Sequence, residues 1–250
     1  MIQLYHGDCL EEMDKLIEQG IKVDAIITDP PYGTTACKWD SVIPFDEMWI
    51  RLNKLIKDNG AIVLFGSEPF SSALRMSNIK NYKYDWYWNK NRVTNFLNAK
   101  NQPLRAMEVL SIFYKNQPRF IPVPFSDKHY AHRSDKTTNG TEQYGDFKTK
   151  TSIKTRQITS AKNVIFFDTV HPQSVEKKAH PTQKPVQLME YLIKTYTNEY
   201  ETVLDFTMGS GTTMVAAQNL NRNGIGIELD DKYFQIAKDR IEATQAEMKD

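Results

Sequence analysis

Residues 202–213 read TVLDFTMGSGTT. Val203 and Leu204 are strand-forming residues, Asp205 ends the run, and two glycines follow before a pair of threonines. This is the pattern of a strand, a tight glycine turn and a helix start. Glycine turns the backbone sharply and lets a ligand approach it closely. The neighbouring segments repeat the alternation. Downstream, GIGIEL (224–229) is strand-like, and DDKYFQIAKDRIEA (230–243) is a closing helix with an aspartate cap. Upstream, HPTQKPVQLMEYLIKTY (180–196) places Leu188, Met189, Leu192, Ile193 and Tyr196 on one helical face, with Pro185 suited to the first turn.

The same reading extends to the N-terminus. Strands are expected at 2–7, at 23–28 (VDAIIT) and at 61–67 (AIVLFGS). Helical spacing at Leu10, Met13, Leu16 and Ile17, and again at Met48, Leu52, Leu55 and Ile56, fills the gaps, with the second helix stopped by Asn59 and Gly60. EPFSSALRMSN (68–78) reads as a short helix. YDWYWNK (84–90) and EVLSIFYK (108–115) read as an antiparallel hairpin on the sheet edge. Strands alternating with helices predict an α/β fold with a doubly wound, mostly parallel sheet. Residues 116–180 are irregular apart from NVIFFDTV, and too long for an ordinary loop. The expected organisation is a first half at 1–115, an insert at 116–180 and a second half of the same domain at 181–250.

Open α/β sheets bind ligands at the carboxyl ends of their strands. Three such tips carry suitable groups. The glycine turn lacks the third glycine of a dinucleotide fingerprint, because Met214 stands there, and it lacks the Gly-Lys-Ser/Thr of a phosphate loop. Glu228 follows the glycines by the spacing at which an acid bonds ribose hydroxyls. Asp8, at the end of the first strand, suits an adenine amino group. A ribose-bearing ligand without a pyrophosphate fits this set, and S-adenosylmethionine is such a ligand.

A second stretch, IITDPPYGTT (26–35), delivers Asp29 at the end of an apolar strand. The exocyclic amine of adenine is a poor nucleophile, because its lone pair is delocalised into the ring. Acceptors on both N–H groups would localise that lone pair. Asp29 supplies one acceptor and the Pro30 carbonyl the other, since Pro31 has no N–H and the diprolyl unit is stiff. Tyr32 offers a flat face for stacking a base.

DPPY together with DFTMGSGTT resembles the S-adenosylmethionine-dependent DNA amino-methyltransferases that act on adenine N6 or cytosine N4. The motif order, catalytic first and glycine motif last, resembles the permuted β group. The resemblance implies that Asp29, Pro30, Pro31 and Tyr32 hold the target base. It implies a cofactor site made by Asp8, Cys9, Asp205, Phe206, Thr207, Gly209, Ser210, Gly211, Thr212 and Glu228, with Thr182 or Lys184 meeting the cofactor's carboxylate. Phe206-Thr207 depart from the Pro-Phe common in the family. An aspartate opening the catalytic motif favours adenine N6, since cytosine-N4 members more often carry serine there. The alternatives are cytosine N4 and a non-catalytic DNA-binding relative.

A base inside a duplex is out of reach, so base flipping or a single-stranded target is expected. Residues 115–180 contain 12 Lys and Arg against 6 Asp and Glu, a balance of +6 that leaves −5 for the rest of a chain whose total is +1. That contrast suits a target-recognition insert contacting phosphates. The expected DNA contacts are Lys90, Arg92, Phe96, Arg119, Lys128, Arg133, Lys148, Lys150, Lys154 and Arg156. Double-stranded DNA is the expected partner. A homodimer and a cognate restriction endonuclease of a restriction-modification pair are the further partners that the resemblance suggests.

Composition closes other classes. Cys9 and Cys37 form no disulfide framework and match no zinc spacing, and the histidines are too irregularly placed for a metal site. The acidic start lacks the basic and apolar regions of a signal peptide. No apolar run is long enough for a membrane. A cytoplasmic location without membrane attachment is the expectation.

Overall fold

The computed structural model describes residues 1–34, 40–121, 161–171, 176 and 179–247. Met1–Val123 and Lys162–Asp250 form one compact unit that carries every element described here. In chain order these are β1 (Ile2–His6), α1 (Cys9–Glu18), β2 (Val23–Thr28), α2 (Phe45–Leu55), β3 (Ile56–Gly66), α3 (Phe70–Ser77), β4 (Tyr82–Thr94), a 3₁₀ turn (Phe96–Asn98), β5 (Arg105–Phe113), β6 (Val164–Phe167), α4 (Val186–Tyr196), β7 (Thr202–Asp205), α5 (Thr212–Asn219), β8 (Asn223–Glu228) and α6 (Asp231–Glu247).

The eight strands form one mixed sheet in the order β1-β8-β7-β2-β3-β5-β4-β6. Only β5 runs against its neighbours; every other pairing is parallel. The expected hairpin is β4–β5, but it is not the sheet edge. Val164–Phe167 pairs parallel with Tyr87–Lys90 and covers it. That strand falls inside the stretch read as an insert, and its apolar residues are explained by this docking: Ile165 is fully buried.

The alternation of side chains along each strand divides the core. Ile26, Ile62, Leu64, Leu204, Ile225 and Ile227 face α1 and α2, whose buried stripes are Met13 and Leu16, and Met48, Leu52 and Leu55. On the other face, Met214, Val215, Ala237 and Ile241 of α5 and α6 pack together against Ile2 and Leu4. This two-sided covering is what a doubly wound parallel sheet requires.

Two boundaries differ from the sequence reading. Asn59 and Gly60 do not stop α2, which ends at Leu55; its next residue, Ile56, is already extended. KDNG instead lies in an irregular stretch of β3, between the pairs Val23–Ile56 and Ala25–Ala61. A side chain at Gly60 would stand 2.7 Å from the Asp24 carbonyl, so close approach and not a helix stop requires glycine there. Pro185 is the residue before the first turn of α4, with extended backbone. Asp230 caps α6, accepting a bond from the Tyr233 N–H. No helix among the described residues is long and apolar enough to cross a membrane.

Candidate active site

A cavity of about 800 Å³ opens at the carboxyl ends of β1, β2, β7 and β8. That is within the size range of small-molecule sites. Asp8, Asp29, Gly209 and Glu228 line it, as do residues 180–184 before α4 and Arg92, Val93 and Thr94 at the end of β4. The two signature loops are tied together beneath it. Thr28 Oγ1 donates to Asp205 (3.1 Å), and Thr207 Oγ1 donates to the Asp29 carbonyl (3.1 Å).

Asp29 follows β2 directly, and each of its carboxylate oxygens meets a donor. The Tyr32 hydroxyl donates to Oδ1, and Lys184 Nζ donates to Oδ2 at 2.5 Å. Lys184 also lies 3.3 Å from Glu108 Oε2, and the other Glu108 oxygen accepts from Lys90 Nζ at 3.0 Å. The result is a chain of alternating charge, Lys90–Glu108–Lys184–Asp29. The lysine side chains are only 5 % and 8 % exposed. Burial pushes the Asp29 pKa up; Lys184 opposes this, Glu108 reinforces it, and the net direction is upward. Burial would also raise Glu108, but the two ammonium groups outweigh it and leave this carboxyl below its usual range. Burial would strip Lys184 of its proton, yet its two carboxylate neighbours hold it firmly charged. The Tyr32 hydroxyl, buried beside Asp29, is held well above the usual range and stays protonated.

The DPPY loop has its own brace. One Asp40 oxygen accepts from the Tyr32 and Gly33 N–H groups (2.8 and 2.9 Å), and the other from Thr34 N–H (2.9 Å). The Tyr32 ring packs against Phe70, with centroids 5.0 Å apart.

On the glycine side, Gly209 and Gly211 both have left-handed backbone, with φ of +54° and +77°. A side chain at Gly211 would meet Ala237 Cβ at 2.9 Å, so this glycine lets α6 pack against the turn. A side chain at Gly209 would find nothing nearer than the His180 ring at 3.9 Å, because that glycine borders the cavity. Glu228 fixes this edge: its two oxygens accept from the N–H groups of Gly209 and Asp230, each at 2.8 Å. Asp8 spends Oδ1 capping α1, accepting from Leu10 N–H at 2.8 Å. Beside it, burial and then the Asp8 charge push the Cys9 thiol up to about 12, so it stays neutral.

Several expected site residues line the cavity and brace the scaffold as well. The Asp205 carboxylate takes bonds from Thr28, Thr213 (2.6 Å) and the Thr207 N–H, and burial raises its pKa to about 7. Phe206 is fully buried in the core under α1 and α2. Ser210 and Thr212 face Arg240 of α6, which donates to the Ser210 carbonyl (2.6 Å) and to both hydroxyls. Lys184, expected at a cofactor carboxylate, is on Asp29. Thr182 N–H donates to His180 Nδ1. Lys90, expected at DNA, is buried against Glu108; it shares a sheet face with Trp88, whose cross-strand partner is Glu108. Arg119 is exposed two residues before Ile121, which donates to the Thr195 carbonyl at the far end of α4 from Lys184. Arg92 and Phe96 are exposed, and Arg92 lines the cavity. Lys128, Arg133, Lys148, Lys150, Lys154, Arg156 and Cys37 lie outside the described residues. No group of three or more possible metal ligands occurs among the described residues.

The profile of the N6/N4 family described as DNA methylase matches residues 23–239. The chain belongs to this family. The methylase is similar to the type II methyltransferase M.HpaI of Haemophilus parainfluenzae, at 28% identity over 96% of this chain and 74% of that one. It is equally similar to M2.DpnII of Streptococcus pneumoniae, at 28% over 96% and 89%. Among solved structures, the M1.HpyAVI–SAM complex is 31% identical with a TM-score of 0.66, covering 96% of this chain and 99% of the other. The cytosine-N4-specific PvuII methyltransferase shares the fold, with a TM-score of 0.65 at 17% identity.

Four residues that line or brace the methylase's cavity escaped the sequence reading: Glu108 and Asp40 in its wall, and Glu176 and Arg240 behind it. Each is a lone charged residue outside any motif. Glu176 accepts from the Val186 N–H and from Gln183, and lies 3.3 Å from Arg240. It thereby joins the start of α4 to α6. A charged residue next to an apolar strand face, as Glu108 is within EVLSIFYK, was the one usable signal.

Proposed function

We propose that this DNA methylase transfers a methyl group from S-adenosylmethionine to the N6 amine of adenine, with Asp29 as the acceptor that activates the amine. The observation that carries this is the placement of the Asp29 carboxylate on the same cavity as the bare backbone of Gly209. The cavity also fits the donor. It has acids at two strand tips for hydroxyl and amino groups and a glycine whose backbone borders it; among the described residues, the arginine at the glycine loop, Arg240, is engaged by Ser210 and Thr212. Asp8, Gly209 and Glu228 are the residues that would hold it. When bound, it supplies a methyl group on a positively charged sulfur.

The protein's own part is orientation and charge. Asp29 and the Pro30 carbonyl accept the two N–H groups of the target amine. This localises its lone pair and fixes its direction, the larger part of the gain. A carboxylate has about four lone-pair positions, so Asp29 accepts a third donor while Tyr32 and Lys184 keep theirs. Methylation leaves an extra proton on the amine, and Asp29, its pKa raised by burial, is the base placed to take it. Tyr32 offers its ring to the base. The exposed cations Arg92, Lys100 and Arg105 about the β4–β5 tip and the +6 segment at 115–180 serve phosphate contact and target recognition in this reading. A flipped base enters from that side.

Asp29→Ala is expected to lose methyl transfer by about a thousandfold while S-adenosylmethionine binding stays within twofold. Tritiated cofactor measures the first and calorimetry the second; full transfer by the variant would overturn the role of Asp29. Mass analysis of digested product DNA is expected to show N6-methyladenine, and N4-methylcytosine alone would move the target to cytosine.

A further inference from the structure

Glu108 lies in β5, 79 residues from Asp29, and belongs to none of the sequence motifs. Its carboxylate nonetheless touches the ammonium that holds Asp29. We propose that Glu108, held by Lys90, is a positioning residue for methyl transfer: it divides the Lys184 ammonium between two carboxylates and so keeps Asp29 a strong acceptor. This deepens the methylase reading and rests on it.

Two carboxylates compete for one ammonium. A single lysine on a single buried carboxylate makes a closed pair, and such a pair has little pull left for a substrate N–H. Here the lysine is shared, 2.5 Å from Asp29 and 3.3 Å from Glu108. A second buried carboxylate would itself be unstable without neutralisation. Lys90 supplies that at 3.0 Å from the far oxygen. Two cations and two anions therefore balance, and none of them is drawn from the DNA-facing surface.

The geometry is set by three separate elements. Lys90 and Glu108 come from neighbouring strands, one step apart on the same sheet face, next to the Trp88–Glu108 cross-strand pair. Lys184 comes from the loop into α4, which packs against that face through the contact between Tyr191 and Trp86. The charged and titratable groups around Asp29 are thus Tyr32 on its own loop, Lys184 before α4, Glu108 on β5 with Lys90 behind it on β4, Asp205 at the end of β7, and Asp40 beneath the loop. Of these carboxylates, only Glu108 shares Lys184 with Asp29. Asp205 is engaged by Thr28 and Thr213.

The sign follows directly. Removing the Glu108 charge takes a like charge from Asp29 and returns the whole ammonium to it. Both changes lower the Asp29 pKa and weaken it as an acceptor. Glu108→Gln is expected to reduce kcat about tenfold. It is also expected to move the Asp29 titration down by about one unit, with the cofactor's Kd unchanged. Glu108→Asp, which keeps the charge, is expected to recover part of both. The titration is read site by site from the ¹³C-carboxyl resonance of Asp29 in the free enzyme, and kcat from single-turnover transfer to duplex DNA. If Glu108→Gln fails to fold, Glu108→Gln with Lys90→Gln preserves the charge balance; the ammonium of Lys184 still returns to Asp29, and the Asp29 titration is expected to move down by a smaller amount. An Asp29 titration that stays in place in the folded variant overturns the proposal, whatever kcat does. Wild-type protein that transfers no methyl group to DNA overturns the methylase reading instead, and the resonance of Asp29 distinguishes the two failures because it needs no turnover.

Discussion

Lys184 illustrates how a residue's partner changes its meaning. In HPTQKP it is a lone cation ahead of a helix, equally suited to a ligand carboxylate or to solvent. In the fold it is 8 % exposed and donates to Asp29, 155 positions earlier. Replacing it with methionine is expected to leave Asp29 buried without its counter-charge. Its pKa then rises further, because the one cation that opposes burial there is gone. The acid limb of the pH–rate profile is expected to move up, and kcat to fall by about a hundredfold at pH 7. The Kd for S-adenosylmethionine, measured by calorimetry, is expected to stay within threefold. A large loss of cofactor affinity with the limb unmoved would instead place Lys184 on the cofactor. Asp29 itself was legible in the sequence because its role depends on local covalent features: an apolar strand before it and two prolines after it. Asp40, which holds that loop through three backbone N–H groups, was not legible, since nothing local marks which turn a lone aspartate will accept from.

At the level of elements, the β4–β5 hairpin is the piece whose tip reaches solvent beside the cavity. Its 3₁₀ turn presents Phe96 at 67 % exposure and Leu97 fully exposed, directly after the cavity-lining Arg92, Val93 and Thr94. Residues 86–107 carry no acid, and beside the buried Lys90 they carry three exposed cations, Arg92, Lys100 and Arg105. An apolar tip on a cationic hairpin is the form of a side-chain wedge that unstacks a duplex. Phe96→Ala with Leu97→Ala is expected to lower kcat/KM on matched duplex by about tenfold. A mismatched target, already partly unstacked, is expected to recover most of that loss, because its opening costs less. Equal loss on both substrates would make the tip a simple contact. The hairpin was readable from its strand-forming aromatics. Its covering strand β6 was only a patch, because four residues carry no usable period, and a parallel partner is fixed by distant packing and not by a turn.

Across the whole molecule, the two signature loops are joined by a buried carboxyl and by the Thr207 hydroxyl on the Asp29 carbonyl. Asp205 takes bonds from Thr28 of β2, Thr207 of its own loop and Thr213 of α5. Burial raises its pKa from 3.8 to about 7. An acid whose pKa is raised by folding binds its proton more tightly in the native state. Its contribution to stability is therefore full below about pH 4, and is lost as pH rises toward 7. Asp205→Asn, which cannot ionise, is expected to remove this slope. Its thermal midpoint relative to wild type should improve steadily from pH 4 to pH 7 and level off above it, as followed by circular dichroism; a constant difference across that range would contradict the assignment. The sequence by itself determined the order of strands and helices, the doubly wound class, and the two loops that must meet at the strand ends, because these follow from local periodicity, backbone chemistry and chain order. Only the tertiary structure decided which charges pair, that Lys90 and Lys184 turn inward, that Glu108 stands behind Asp29, and that Arg240 locks the glycine turn. A side chain's partner is chosen by the packing of distant elements across the sheet, and no local pattern encodes that choice.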